Sequence, residues 1–215
     1  MHEEMMHRAV LLAARGRGHT APNPLVGAVL VRDGEILGEG WHAIYGGLHA
    51  ERAALEDCTR RGHSPKDAIL YVTLEPCCHH GKQPPCTEAV IDAGIRAVFV
   101  GSADPNPLVA GKGVAALRAA GIRVTEGLLS DECDALNAPF FRHMKTGLPL
   151  VTVKYAMTLD GKTACASGAS RWITGAAARE EVHRSRAAAG AVMVGINTVL
   201  KDDPLLNCRI PGGRN

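Results

Sequence analysis

Apolar positions recur along the chain in two rhythms, one near 3.6 residues and one near two, and their alternation predicts helices interleaved with strands. Residues 1–15 place Met5, Met6, Ala9, Val10 and Ala13 at helical spacing before the breaker Gly16, which predicts an amphipathic helix. Residues 26–31 and 35–41 read as two strands joined at Asp33-Gly34, a dipeptide that accepts the positive φ values of a tight hairpin turn. Helices are then expected at 50–58, 87–93 and 113–120, strands at 69–73, 97–100 and 122–125, and a last helix capped by Ser130 and running to about residue 145. This order predicts a mostly parallel sheet covered by helices.

Thr146-Gly147-Leu148-Pro149 interrupts the pattern, after which a strand at 150–156, a helix at 176–188 and a strand at 191–195 are expected. The break divides the chain into a first domain, 1–146, and a second segment, 147–215. A stretch as short as the second supplies only about 3–5 kcal/mol from one core, so it is expected to be an incomplete domain. Neither an internal repeat nor a low-complexity tract is present.

Composition narrows the function. Of 215 residues, 46% are hydrophobic, 21% charged and 4% aromatic, the balance of a soluble globular α/β protein and not of a disordered chain. Twenty-four Lys and Arg against 22 Asp and Glu leave a formal charge of +2, too weak a field to hold a nucleic-acid backbone, and aromatic rings for stacking bases are scarce. No apolar run reaches the roughly 18–20 residues that span a bilayer, and the start, MHEEMMHR, carries acids where a signal peptide carries positive charge. A cytoplasmic protein without nucleic-acid or membrane partners is expected. Seven cysteines, an odd number in a chain that needs no staples, point away from a disulfide framework and toward a metal.

The chemistry concentrates in two places. His49-Ala50-Glu51 opens a helix, while Pro76-Cys77 follows a strand and Cys86 opens the next helix. One imidazole and two thiolates make a tetrahedral Zn²⁺ set whose fourth position is left for water, the pattern of a catalytic ion. Glu51, two residues from His49 on a helix, does not share its face and so lies beside the ion, where it suits a proton carrier. Zinc lowers the pKa of bound water to about 7, and attack on an amidine-like ring carbon would expel ammonia. A lone His-x-Glu is common; joined to a later Pro-Cys and a second cysteine, it has the order of the zinc deaminase signature. His79 or His80 is an alternative zinc ligand, whereas Cys58, Cys133, Cys165 and Cys208 read as packing or incidental thiols. A closed structural zinc module is the non-enzymatic alternative.

Eight residues separate Cys77 from Cys86 in EPCCHHGKQPPC, where cytidine and tRNA-adenosine deaminases have two. With APNPLVGAVLV at 21–31, HAE at 49–51 and DPNPLVAGKG at 104–113, this loop closely resembles the N-terminal half of the RibD family of bifunctional riboflavin biosynthesis proteins. VKYAMTLDGKTA, SGASRWITG and VGINTVLKDDPLLNCR resemble the start of that family's reductase half. The resemblance implies a three-layer α/β/α cytidine-deaminase-like domain followed by the N-terminal part of a dihydrofolate-reductase-like α/β domain. It implies zinc-dependent deamination of 2,5-diamino-6-ribosylamino-4(3H)-pyrimidinone 5′-phosphate to 5-amino-6-(5-phosphoribosylamino)uracil, with NADPH then reducing the ribosyl chain in complete members, and it suggests a homo-oligomer. A zinc deaminase of another base, guanine or a nucleic-acid cytosine or adenine, is the alternative.

Carried over by position, the resemblance puts zinc on His49, Cys77 and Cys86 and proton transfer on Glu51. It puts the phosphorylated pyrimidine against Asn23, His42, His79, Lys82 and Asn106. Asn23 and Asn106 each sit in Pro-Asn-Pro, where a turn residue bonding its own backbone is the plainer reading, and Lys82 also suits a solvated charge. In the second segment NADPH contacts fall on Ala156, Trp172, Thr198 and Asp202, and substrate contacts on Ser170, Arg186, Leu206 and Arg209. Packing is the plainer reading for Ala156 and Leu206. The chain departs from the family at Cys78 and Gln83, where Ser and Thr are common, and it ends before the strands and glycine-rich loop that complete the reductase domain.

Overall fold

The computed structural model describes residues 1–213, which separate into two compact units, Met1–Leu150 and the segment from Val151 onward. In the first unit five strands form one sheet: β1 (Gly27–Arg32), β2 (Glu35–Trp41), β3 (Ile69–Leu74), β4 (Ala97–Ser102) and β5 (Arg123–Glu126), in spatial order β2-β1-β3-β4-β5. Asp33 and Gly34 join β1 to β2 with positive φ at both, the twist-matched hairpin turn that the dipeptide favours.

The sheet is mixed and not mostly parallel. β3 pairs parallel with β4 and β4 with β5, but β1 runs antiparallel to both of its neighbours. Local pattern cannot encode this, because the partner of β1 arrives only after the chain has crossed through a helix. Helices cover both faces. On one side lie α2 (Ala50–Arg60), α3 (Cys86–Asp92) and α4 (Lys112–Ala119), packed on Ala28, Leu30, Leu70, Val72, Val98 and Val100. On the other, α1 (His2–Ala14) and α5 (Ser130–Leu136) pack on Val29, Val31 and Tyr71. Successive strand residues point to opposite faces and both faces are buried, which is why the strands read as continuous apolar runs.

Gly38 and Gly40 let α2 lie directly on β2, since a Cβ at either would overlap the helix backbone at Ala54. The single helix expected after Ser130 is two, α5 and α6 (Ala138–Thr146), and α5 begins after Leu129 without a side-chain cap from Ser130. The break falls at Asn137, whose buried amide accepts the Leu25 N–H and donates to the Leu25 carbonyl, each at 2.8 Å. That tertiary pair displaces Asn137 from helical geometry, a choice the periodicity cannot show.

The second unit contains α7 (Ala176–Ala188) and a helix not expected from the pattern, α8 (Ile196–Asp202). The expected strands at 150–156 and 191–195 do not form, and Val151, Val153 and Tyr155 are exposed. A strand needs a ladder partner, and no strand occurs among the described residues of this unit to provide one.

Candidate active site

Strands β3 and β4 are parallel, so their carboxyl ends open at one edge of the sheet, the usual place for a site in α/β folds. The start of β1, the end of β2 and the N-terminus of α2 meet the same edge, around a cavity of about 390 Å³. That volume suits a small molecule.

His49 is the residue that precedes α2, Cys77 lies just beyond β3, and Cys86 is the first residue of α3. Their ligating atoms all lie within 4.8 Å of one another: His49 Nδ1 is 3.5 Å from Cys77 Sγ and 3.3 Å from Cys86 Sγ. Bonds of about 2.0–2.3 Å at tetrahedral angles set ligands about 3.5 Å apart, so this donor set fits Zn²⁺. Accepting a hydrogen bond from Cys86, and another from His49, holds the Cys77 thiol well below its usual value; the same sharing, with burial and the nearby Glu51, drives Cys86 upward. The hydrogen bond to Cys77 raises His49. Neither His79 nor His80 joins the cluster.

Glu51 is 3% exposed in the first turn of α2, and burial foremost, then the Cys77 sulfur, pushes its carboxyl up to about 6. A carboxyl so placed can both take and return a proton near neutral pH. Arg52, the next residue, donates to the Pro84 and Pro85 carbonyls at 3.3 and 2.9 Å and so ties the long cysteine loop to α2.

Asn23, His42, His79, Lys82 and Asn106 all line the same cavity. His42 is buried and held below its usual value by desolvation; its Nδ1 donates to Leu48 O at 2.9 Å, which leaves Nε2 to accept from the Asn23 amide at 3.1 Å. His79 Nδ1 is buried with no hydrogen-bond partner among the described residues. Lys82 is exposed, with its ammonium 4.0 Å from the centre of the Tyr45 ring. Asn106 also makes the turn bond its sequence suggests, accepting Leu108 N–H at 3.1 Å.

Two acidic residues in the cavity wall escape the sequence reading. Asp104 is raised to about 6, by burial first and then by Glu75, and its Oδ1 accepts the Asn106 N–H at 2.8 Å. Glu75, 3% exposed, accepts three backbone N–H groups. Their only signal is position: Glu75 stands before the Pro-Cys pair, and Asp104 opens DPNP.

In the second unit each of the eight residues singled out has surroundings of its own. Arg186 donates to Asn207 O at 3.2 Å and Arg209 to Asn207 Oδ1 at 2.7 Å, next to half-buried Leu206. Trp172 lies 4.3 Å beneath the Arg179 guanidinium, and Asp202 is 3.9 Å from that of Arg171. Ser170 and Thr198 are exposed and Ala156 is half-buried.

Residues 1–102 match the cytidine and deoxycytidylate deaminase zinc-binding region, and residues 149–215 match the RibD C-terminal domain. The riboflavin biosynthesis protein RibD of Actinobacillus pleuropneumoniae is 54% identical over 211 residues, covering 98% of this chain and 55% of that protein. The Escherichia coli K12 protein of the same name is 49% identical over 207 residues, covering 96% and 56%. The chain thus spans about half the length of these curated relatives. A Thermotoga maritima crystal structure, described as a diaminohydroxyphosphoribosylaminopyrimidine deaminase/5-amino-6-(5-phosphoribosylamino)uracil reductase, superposes with a TM-score of 0.95 at 49% identity, covering all of this chain and 61% of that one. No helix among the described residues is long and apolar enough to cross a membrane. Nearly the whole chain is thus similar to the first part of the RibD riboflavin biosynthesis proteins, a cytidine-deaminase-like domain followed by the start of a reductase domain.

Proposed function

We propose that the first unit is a zinc-dependent deaminase of riboflavin biosynthesis, converting 2,5-diamino-6-ribosylamino-4(3H)-pyrimidinone 5′-phosphate and water to 5-amino-6-(5-phosphoribosylamino)uracil and ammonia. One observation carries the reading: His49, Cys77 and Cys86 converge within 4.8 Å beside the buried carboxyl of Glu51, on the wall of a cavity. The three residues would hold Zn²⁺, which supplies Lewis-acid activation of water at neutral pH. Glu51 takes one proton from the attacking water and delivers it to the ring nitrogen, then takes the remaining proton of the added hydroxyl and passes it to the amine, which leaves as ammonia as the C–N bond breaks and the ring carbonyl forms. Asn23, His42, His79 and Asn106 orient the pyrimidinone edge, and Lys82 at the exposed rim meets the phosphate.

The second unit is assigned to the reductase domain of the family. Ala156, Trp172, Thr198 and Asp202 would meet NADPH, and Ser170, Arg186, Leu206 and Arg209 the sugar phosphate, within a complete domain. Cytoplasmic location, self-association and the absence of a nucleic-acid partner belong to the same reading, the last resting on the near-neutral charge of +2.

Ammonia release from the pyrimidinone phosphate, measured beside guanine, cytidine and single-stranded nucleic acid at one zinc per chain, tests the proposal. Glu51→Gln should keep its zinc and lose at least about a thousandfold in kcat, within the range assigned to general acid–base groups and above. Turnover retained by that variant, or a preference for another base, defeats the reading.

A further inference from the structure

The stretch between β4 and α4 forms part of the cavity wall with Asp104, Asn106 and Val109. Its inner shape comes from its own turns: Asp104 Oδ1 accepts Asn106 N–H at 2.8 Å, Asn106 Oδ1 accepts Leu108 N–H at 3.1 Å, and Asn106 O accepts Val109 N–H at 2.8 Å. Those bonds shape the loop without fixing it to the metal-ligand side of the cavity. Glu75 does that. Its Oε2 accepts the N–H of Asp104 at 3.3 Å and of Gly111 at 2.9 Å, so one oxygen grips the loop near both ends. Oε1 accepts the N–H of Val114 at 3.1 Å, in the first turn of α4.

We propose that Glu75 is a positioning residue for substrate binding, a carboxylate clamp that sets Asp104 and Asn106 against the Cys77 side of the cavity. It rests on the deaminase reading above. Glu75 borders the cavity, but its two oxygens are engaged by three backbone donors, so it serves the site through the loop and not by meeting substrate. The seat is tight: a Cβ on Gly113 would overlap the Pro76 carbonyl and lie 3.1 Å from Glu75 Oε1, so the first turn of α4 rests directly on Glu75-Pro76. A negative group at the start of α4 also matches the partial positive charge of that helix end. Cys77, two residues further on, belongs to the His49–Cys77–Cys86 cluster, so one short segment, Glu75–Cys77, supplies both a metal-ligand candidate and the hold on the loop.

Glu75→Gln keeps the volume but exchanges one acceptor oxygen for an NH₂ group that cannot receive an N–H. The expected result is KM raised roughly tenfold with kcat within about threefold, the order for a backbone donor that loses a charged acceptor. Zinc per chain should be unchanged. Amide exchange at Asp104, Gly111 and Val114 should quicken roughly tenfold while β4 amides hold. A merely structural role would lower the melting temperature and the active fraction and leave KM where it was, and that outcome overturns the proposal, as does unchanged exchange. Should Glu75→Gln not fold, the wild-type chain still decides: protected Gly111 and Val114 amides support the clamp, and exchange there at the rate of open loops refutes it. Because exchange needs no substrate, failure of the clamp is told apart from failure of the assigned reaction.

Discussion

Asp104→Asn should stabilise the protein, and only above about pH 4. The Asp104 carboxyl is 8% exposed and titrates near 6, where an ordinary aspartate titrates at 3.8. Burial is the main cause; the negative Glu75 and Cys77 add to it, while the Asn106 N–H and His79 oppose it. Between those two values the folded protein holds a proton that the unfolded chain has released, so stability falls as pH rises. The favourable contribution of the neutral acid is complete below about 3.8 and is lost by about 6. A shift of about two pKa units at 1.36 kcal/mol each makes the loss on the order of 3 kcal/mol. Asparagine cannot ionise yet keeps an oxygen to accept the Asn106 N–H, so it escapes the penalty. At about 2–4 °C per kcal/mol for a domain of this size, the variant should melt within error of wild type at pH 4 and roughly 6–12 °C higher at pH 7.5. Calorimetry across that range, at equal zinc loading, is the assay. Titrating groups remote from Asp104 cancel in the difference between the two proteins. A gap that is the same at both ends of the range, or a variant less stable at pH 7.5, would refute the reasoning.

Two further substitutions probe the frame that carries the site. Gly40→Ala sets a Cβ against the Ala54 nitrogen and 2.5 Å from the Ala50 carbonyl. Backbone cannot step aside, so about 1–3 kcal/mol should be lost; because α2 begins beside His49, chelator competition should also report weaker zinc binding, and an unchanged melting temperature with unchanged affinity speaks against the close approach. Asn137→Ala leaves the Leu25 N–H and C=O without their side-chain partner, a loss of about 1–3 kcal/mol, and frees the 22–26 segment at the cavity. Amide exchange at Leu25 should accelerate, and equal protection in both proteins would be contrary to that role.

How much of the fold could be read from the chain depended on the range of the forces involved. The β1–β2 hairpin was legible because Asp33-Gly34 states its own turn, and α2 because its apolar spacing and its start at Ala50 are local. The direction of β1 beside β3 was not, since residues 28–31 meet 69–72 only after two intervening elements have packed. Asn137 looked like one more helical position until Leu25 claimed its amide. Residues 150–156 have strand chemistry, and chemistry alone does not supply the second strand that a ladder requires.

The site divides in the same way. His49, Glu51, Cys77 and Cys86 could be picked out because metal ligation demands rare side chains in a fixed order, and order survives in one dimension. Glu75 and Asp104 could not, because an acid on a chain of 22 acids announces nothing until burial and neighbours change what it costs to ionise or leave unbonded. What converts Glu75 from a solvated charge into a clamp is the arrival of the Asp104, Gly111 and Val114 amides from a loop and helix 29 to 39 residues downstream. Ligand identity is therefore written locally, whereas the support that gives the ligands a defined cavity is written in tertiary contacts. It follows that the supporting residues, more than the ligands, are where a sequence of this family can drift in ways that alter KM and leave the metal in place.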